Sequence, residues 1–542
     1  MTIFEQILAA RGLTGDAIDA FLSPDYAREK ADPYLLPDMD KAVYRLQQAR
    51  ASQERIVIYG DYDVDGLSAT ALLLDAFASF GFTEVEAFIP NRFVEGYGLT
   101  MGAVDKLKTM QASLVVTVDC GSLSHAEIAY ANSLGIDIIV TDHHNVAATP
   151  PPAIAAVNPR FPGHDYPFAD LAGVGVAFKL VQALQQVLDG LPDGHEKWLL
   201  DLVALGTVCD IVRLQGENRA NVYWGLEVMK RQRRTGIKAL MAVAGVEKEQ
   251  LSAKSLGFGL GPRLNAAGRL ETAMHALEML TASDNEVALE RAQYIDTLNA
   301  NRRDLQQSIF EEACVQAEQY VDDAVLVVSG EGWNHGVIGI VAAKLLERYK
   351  KPVYVIEIQP HGEAKGSARS YGEFSAADAI RAADDIIIKG GGHAAAAGVT
   401  LAADKIDAFR RRVNEYYHQC KLVNQHAYLL PTADALVSDL RQVNEQLIND
   451  IARLEPFGNA NPEPILQAKG VLVAGVRYMG SEGQHSKITI EDAAGATLEL
   501  LTFNTPREWQ REVGDVVTVW FQPAVNEWNN RRTIEGRLLH LE

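Results

Sequence analysis

The chain has 542 residues, of which 48% are hydrophobic and 22% charged, and its 50 basic and 71 acidic side chains leave a net charge of −21 at pH 7. These values belong to a globular chain of several domains and exclude a disordered, collagen-like or low-complexity one. The acidity argues against indiscriminate nucleic-acid binding, yet it leaves room for a local basic groove, since binding depends on where the charges sit. Cys120, Cys209, Cys314 and Cys420 show no zinc-site or redox spacing, which predicts a reducing compartment. The first residues lack the layout of a signal peptide, and no run approaches ~18 uninterrupted apolar residues. The expectation is a cytoplasmic protein with no membrane span.

Residues 1–50 read as short helices joined by a proline-containing connector. Residues 56–59 are a short apolar run of the buried parallel-strand kind, followed by a turn over 60–66 and a helical stretch over 68–77. The pattern recurs: Leu114–Val118 ends at Asp119, and Asp137–Thr141 ends at Asp142, His143 and His144. Such strand–helix alternation predicts an α/β fold with a doubly wound parallel sheet. The prolines at 150–152 close this stretch, and helices follow up to Gly206-Thr-Val-Cys-Asp210. Residues 285–320 contain neither Pro nor Gly and predict one long connector helix. The run 324–328 opens a second αβ region, which holds Gly366-Ser-Ala-Arg-Ser370 and Gly390-Gly-Gly-His-Ala394. Beyond residue 456, the alternating segments 487–490, 497–501 and 516–520 predict antiparallel strands of a small OB-type β-barrel.

The acids fall where this fold does its chemistry. Asp61, Asp63 and Asp65 follow the first strand, Asp119 ends the second, and Asp142, His143 and His144 end the third. An open parallel sheet binds ligands outside the carboxyl ends of its strands, so these groups converge in one crevice. Carboxylates a few ångströms apart repel, and either their pKa values rise or a cation enters. An oxygen-rich set with imidazoles suits Mn²⁺ or Mg²⁺ better than structural zinc. Two such ions bridged by a carboxylate serve phosphoryl chemistry. A single Asp at a strand end is more often a helix cap or turn residue, but that explanation weakens for the combination.

Gly60-Asp-Tyr-Asp-Val-Asp-Gly66, Val118-Asp-Cys-Gly121, Thr141-Asp-His-His144 and Gly206-Thr-Val-Cys-Asp210 resemble the four motifs of the DHH phosphoesterase superfamily. Gly390-Gly-Gly-His393 resembles the hallmark of its DHH-associated domain. The motif order, the connector and the β-rich tail are similar, over nearly the whole chain, to the RecJ exonuclease family. So are Ser367-Ala-Arg369, Gly261-Pro-Arg-Leu-Asn-Ala-Ala-Gly-Arg269 and Pro456-Phe-Gly-Asn-Ala-Asn-Pro462. The implied architecture is an N-terminal helical segment packing on the catalytic domain (1–50), a doubly wound DHH domain (51–284) and a connector helix (285–320). A DHH-associated substrate-binding domain (321–420), linker helices (421–455) and an OB-fold nucleic-acid-binding domain (456–542) complete it.

The resemblance implies residue roles. Asp63, Asp65, Asp119, His143 and Asp210 match metal ligands, with Asp119 as the bridge. His144 matches a residue that contacts substrate phosphate or orients the site, and Asp142 supports the histidines. Tyr59 stands where broader relatives carry a histidine ligand; Asp61 either compensates or shapes the turn, the turn being the favoured reading. Arg92, Arg263, Ser367, Arg369 and His393 match positions near the 5′-phosphate or neighbouring phosphates, although a surface ion pair is the commoner fate of Arg92 or Arg263 taken alone. Arg231, Arg233, Arg234, Arg302 and Arg303 are weaker candidates for lining the strand's passage. Trp520, Phe521, Trp528, Arg531 and Arg532 are candidates for base stacking, with the barrel core the commoner reading of the first two.

The implied function is a Mn²⁺- or Mg²⁺-dependent hydrolase: a single-stranded-DNA-specific 5′→3′ exonuclease that releases 5′-mononucleotides by two-metal-ion hydrolysis in DNA recombination and repair. The implied setting is a cytoplasmic monomer working with single-strand-binding protein and a RecQ-type helicase. Two alternatives stand beside it. One is a DHH-type phosphodiesterase for short oligoribonucleotides or cyclic dinucleotides, which would need neither connector nor barrel. The other is a catalytically silent scaffold, which would have no need to hold clustered acids together.

Overall fold

The computed structural model describes residues 1–423, 425–481, 483–528 and 531–542, and of His426, Trp528 and Arg531 the backbone alone. The chain forms two compact units, one of residues 1–265, 273–293 and 431–542, the other of residues 266–272 and 294–430.

The first unit holds an all-parallel sheet of β1 (Ile56–Gly60), β2 (Val85–Phe88), β3 (Leu114–Val118), β4 (Asp137–Thr141) and β5 (Ala155–Val157), in the order β2-β1-β3-β4-β5. Every residue of β1 and β3 is buried, as Val- and Ile-rich strands covered on both faces must be. The helices Met101–Thr109 and His125–Ser133 cover one face through Val104, Leu107 and Ile128. Val64–Ser79 and Gly173–Gln185 pack on the other. The chain leaves β1 in one direction to form β2 and returns on its far side as β3, so the switch in strand order lies between β1 and β3. The Asp61–Asp65 turn and Asp119 both emerge there. The strands β2 and β5 escaped the sequence reading, because four- and three-residue runs carry too little periodicity.

The same unit contains a β-barrel. Its strands are β11 (Ala435–Leu436), β12 (Leu466–Met479), β13 (His485–Glu491), β14 (Thr497–Thr502), β15 (Val516–Trp528) and β16 (Arg531–Leu541). In a second sheet, within the other unit, lie β6 (Leu326–Glu331), β7 (Val353–Ile358), β8 (Glu363–Arg369), β9 (Ile387–Gly392) and β10 (Ala396–Ala402), in the order β6-β7-β8-β10-β9. Antiparallel pairing of β12 with β15 closes the barrel through β13, β14 and β16. Alternating residues fill its core: Ile488, Ile490, Leu500, Val519 and Phe521 are buried. Ile3, Ile7 and Leu8 of the helix Ile3–Ala10 join that core, whereas the helix Met39–Ala51 packs against β5. The N-terminal segment thus serves both the barrel and the parallel sheet. Phe521 is core, and Trp520 lies with its ring 5.1 Å from that of His540. The side chains of Trp528 and Arg531 lie outside the described residues.

The long helix Asn285–Gln319 leads from the first unit into the second. Arg302 is engaged within it, donating to Asn299 and Gln306. Arg234, a candidate for lining a strand passage, is instead buried in ion pairs with Asp201 (2.9 Å) and Asp75 (2.6 Å). Among the described residues no helix is long and apolar enough to cross a membrane.

The helices Leu200–Cys209 and Gly216–Met229 cross with little room between them. A Cβ at Gly225 would lie 2.5 Å from the Ala204 Cβ and closer still to the Leu200 carbonyl. Gly225→Ala is therefore expected to destabilise the protein by up to about 2 kcal/mol in urea unfolding. Overpacking costs about 1–3 kcal/mol and outweighs the gain of about 1 kcal/mol in helix propensity.

Candidate active site

Each acid is fixed by backbone before any ion is considered. Asp63 caps the helix Val64–Ser79, its Oδ1 accepting from the Asp65 (2.9 Å) and Gly66 (3.2 Å) amides. Asp65 lies in the first turn of that helix and is fully buried. Its carboxylate accepts from the Gly173 (2.6 Å) and Val174 (2.9 Å) amides, which open the helix Gly173–Gln185. The positive end of that helix favours negative charge at this point. Asp119 follows β3 with φ +61°, a left-handed conformation unusual outside glycine, and its amide donates to the Thr141 carbonyl (3.0 Å). Gly173 makes room for it: a Cβ there would sit 2.7 Å from Asp119 Oδ1. Asp210 ends the helix Leu200–Cys209.

These elements bring the groups together. His143 Nε2 lies 3.1 Å from Asp119 Oδ1, 3.5 Å from Asp210 Oδ2 and 3.9 Å from Asp65 Oδ2. Three overlapping sets have ligand atoms within 4.8 Å of one another: Asp65, His143 and Asp210; Asp61, Asp63 and Asp119; and Asp119, His143 and His144. Asp119 and His143 each belong to two of them. Asp61 is placed in the cluster, although the favoured sequence reading left it to the turn. Tyr59 is buried and turned away, its hydroxyl donating to the Gly98 carbonyl (2.9 Å).

The electrostatics are those of an acid cluster built for cations. Burial and then Asp63 raise Asp61 to about 8 and Asp65 to about 7. Burial, then Asp65 and Asp63, raise Asp210 to about 9 and hold Asp119 well above the ordinary carboxyl range. Burial and the nearby His144 lower His143 to about 4, so its imidazole is neutral and able to ligate. Among the described residues, the buried Asp61 Oδ1, Asp119 Oδ1 and His143 Nε2 make no hydrogen bond of good geometry, the close approach of the last two included. Buried polar atoms of this kind are rarely left unpaired. Unpartnered carboxylate oxygens around a neutral imidazole fit hard divalent cations such as Mn²⁺ or Mg²⁺.

His144 is set apart by Asp142. Burial opposes charge on both, but their 2.9 Å contact prevails, raising His144 to about 9 and holding Asp142 below the ordinary carboxyl range. Asp142 also accepts from the Ser122, His143 and His144 amides. Asn158 and Arg160, just beyond β5, hold the His144 and His143 carbonyls at 3.0 and 2.6 Å. Sequence reasoning missed both, and only their place after an unrecognised strand could have flagged them. Tyr97, also missed, puts its hydroxyl 3.2 Å from His144 Nε2.

Of the phosphate-binding candidates, Arg92 lies in the first unit with its guanidinium 4.1 Å from the Tyr62 ring centre. Arg263, in the same unit, donates to the Gly259 carbonyl (2.7 Å). In the second unit, Ser367 lines a cavity of about 490 Å³ with His335, Lys365, Lys389, Gly390 and Gly391. Arg369 donates to Ser367 Oγ (3.4 Å), and His393 is exposed in the turn between β9 and β10.

Fold and site together define a DHH phosphoesterase. The DHH family N-terminal domain matches residues 55–207, the DHHA1 domain residues 322–419 and the RecJ OB domain residues 434–540. The single-stranded-DNA-specific exonuclease RecJ of Bacillus subtilis is 37% identical over 530 residues, which cover 97% of this chain and 66% of that protein. The RecJ of Dickeya dadantii is 36% identical, over 94% of this chain and 91% of that one. The crystal structure of Thermus thermophilus RecJ in complex with Mn²⁺ superposes with a TM-score of 0.81 at 29% identity, covering 100% of this chain and 78% of that one. The chain belongs to the RecJ family.

Raised carboxyl pKa values make cation binding a proton-releasing event. Adding Mn²⁺ near pH 7 is expected to release protons, and affinity to rise from about pH 6 to about pH 8.5, as calorimetry in buffers of different ionisation enthalpy will show. The same groups favour the metal-free fold when protonated; that contribution is full below about pH 4, where the unfolded carboxyls are protonated too, and is lost progressively until pH has risen through about 7–9. Mn²⁺ should therefore raise the melting temperature more at the alkaline end.

Proposed function

We propose that this chain is a single-stranded-DNA-specific exonuclease that hydrolyses DNA from the 5′ end, 5′→3′, and releases 5′-mononucleotides in recombination and repair. The observation that carries it is the largely buried cluster of Asp61, Asp63, Asp65, Asp119, His143 and Asp210 in a chain that also bears a RecJ OB domain. A dinucleotide-sized substrate has no use for that barrel.

Asp63, Asp65, Asp119, His143 and Asp210 would hold Mn²⁺ or Mg²⁺, with Asp61 beside them and Asp119 shared. Bound divalent ions supply Lewis acidity and lower the pKa of water. Asp142 keeps His144 upright and charged near neutrality. With its side chain 41% exposed, His144 is open to a substrate phosphate oxygen. Asn158 and Arg160 tether the backbone of both histidines, so neither ring moves as charge develops. In the second unit, Ser367, which shares its cavity with Lys365 and Lys389, supplies phosphate contacts together with Arg369 and His393. Arg92 and Arg263 supply others from the first. Arginine suits this role because its planar fork takes two phosphate oxygens at once.

The 1–50 and 421–455 segments serve as structural supports, and the barrel as the strand-binding domain. We place the enzyme in the cytoplasm as a monomer. Its need for a free single-stranded end calls for a RecQ-type helicase to unwind DNA and single-strand-binding protein to hold it open.

One single-stranded DNA labelled separately at each end tests the reading. With Mn²⁺, a labelled mononucleotide should appear at once from the 5′ end alone, and chelator should abolish it. Release from the 3′ end, or cleavage confined to a dinucleotide, would overturn the assignment. Asp119→Ala is expected to reduce turnover more than about 100-fold, beyond what removing a supporting partner costs, while most strand affinity remains in a filter-binding assay.

Arg369→Ala is expected to cost roughly 10–100-fold in preference for a 5′-phosphorylated over an unphosphorylated end, the worth of a charged hydrogen bond. Equal loss on both ends would speak against a 5′-phosphate contact there.

A further inference from the structure

The Pro456-Phe-Gly-Asn-Ala-Asn-Pro462 segment lies at the entrance to the barrel, yet its polar contacts run to the turn that carries Asp210. Directly after Asp210, Ile211 adopts φ +61°. Helices often end on a residue in this conformation, but it is normally glycine or asparagine; a β-branched side chain is strained there. Its carbonyl accepts a hydrogen bond from the Asn459 side-chain amide (2.8 Å). The Asn459 carbonyl accepts in return from the Leu214 amide (2.8 Å), so one residue grips the turn from both sides. Gln215 adds a bond to the Ala460 carbonyl (3.2 Å). Gly458 approaches so closely that a Cβ would meet Leu214 Cδ1 at 2.6 Å.

The gripping loop is itself rigid. Asn461 is 2% exposed, and its amide donates to the Leu454 (2.9 Å) and Pro456 (2.8 Å) carbonyls while Arg11 holds its oxygen. Arg219, from the helix that follows the turn, donates to the Leu454 (3.2 Å) and Glu455 (2.7 Å) carbonyls.

We propose that Asn459 is a positioning residue for the metal site: by bonding the Ile211 carbonyl it stabilises the strained turn that aims Asp210 at His143 and Asp65, and so ties cation affinity to the barrel-side loop. The inference rests on Asp210 being a ligand. It differs from ordinary loop packing because the bond falls on the residue next to that ligand, whose conformation is the costly one.

The test is Mn²⁺ binding to the full chain without DNA, read from free Mn²⁺ by electron paramagnetic resonance. Asn459→Ala is expected to weaken binding about 10-fold, the lower end for lost support of a ligand. Its metal-free melting temperature should stay near that of the parent; if it does not, Asn459→Ser takes its place. Adding Ile211→Gly to Asn459→Ala should restore most of the affinity, since glycine needs no help at φ +61°. Gln215→Ala, which removes a bond of the same loop without touching Ile211, should bind as the parent does. Parental affinity in Asn459→Ala, or no rescue by Ile211→Gly, would overturn the proposal. Asp210→Asn reports separately: parental affinity there would remove Asp210 from the ligand set, and the proposal with it.

Discussion

The constraint on which the structure depends is the crowding of carboxylates at the carboxyl ends of β1 and β3. Asp61, Asp65 and Asp119 are buried, and Asp63 and Asp210 lie beside them. Like charges at such separations in a medium poorer in water than bulk solvent repel by several kcal/mol. Burial first, and this repulsion second, raise the pKa values of Asp61, Asp65, Asp119 and Asp210; protons relieve the repulsion in the metal-free protein, and divalent cations relieve it better. The apparent defects of the site, unpartnered oxygens and an unpartnered imidazole nitrogen, are therefore the requirements of its ligand.

A site of this kind cannot rely on its ligands to shape it, because in the absence of cations they push apart. The fold supplies the opposing force through backbone. Asp65 is held by two amides at a helix start, Asp63 by the helix it caps, and Asp142 by three amides. Asp119 is held in a left-handed conformation by its place between β3 and β4. Gly173 clears the space this needs, so the glycine belongs to the site although it carries no chemistry.

The clustered acids and His143 were legible because most of them fall at strand ends in short motifs, and strand ends can be read from short apolar runs; Asp210, at a helix end, was legible only through the family resemblance. Beyond Asp142, what supports them was not. Asn158 and Arg160 follow β5, a three-residue strand with no periodicity to detect. Tyr97 lies in a loop, and nothing in its neighbours marks it as a partner for His144. Asp61 was ambiguous for a different reason: an acid after a strand looks the same in sequence whether it shapes the turn or faces the site, and only the unpartnered Oδ1 distinguishes them. Arg234 shows the opposite error. Its basic neighbours suggested the lining of a strand passage, but Asp201 and Asp75, distant in sequence, draw it largely out of solvent.

The acidic composition takes on a different meaning in this light. A chain of charge −21 is a poor partner for a polyanion unless positive charge is delivered locally. In the proposed reading the acid cluster is also where a phosphodiester binds, and divalent cations reconcile the two: they would displace the protons held there and supply positive charge in their place. On that reading cation loading would control the charge met by the reacting phosphate, and Lys365 and Lys389, which line the cavity of the second unit, would supply positive charge elsewhere. Screening by salt should weaken exposed lysine contacts far more than the buried centre, because buried charges are shielded least from one another by added ions. The affinity for the strand and the rate of the chemical step are thus set by two populations of positive charge, one supplied by side chains and one by the cations.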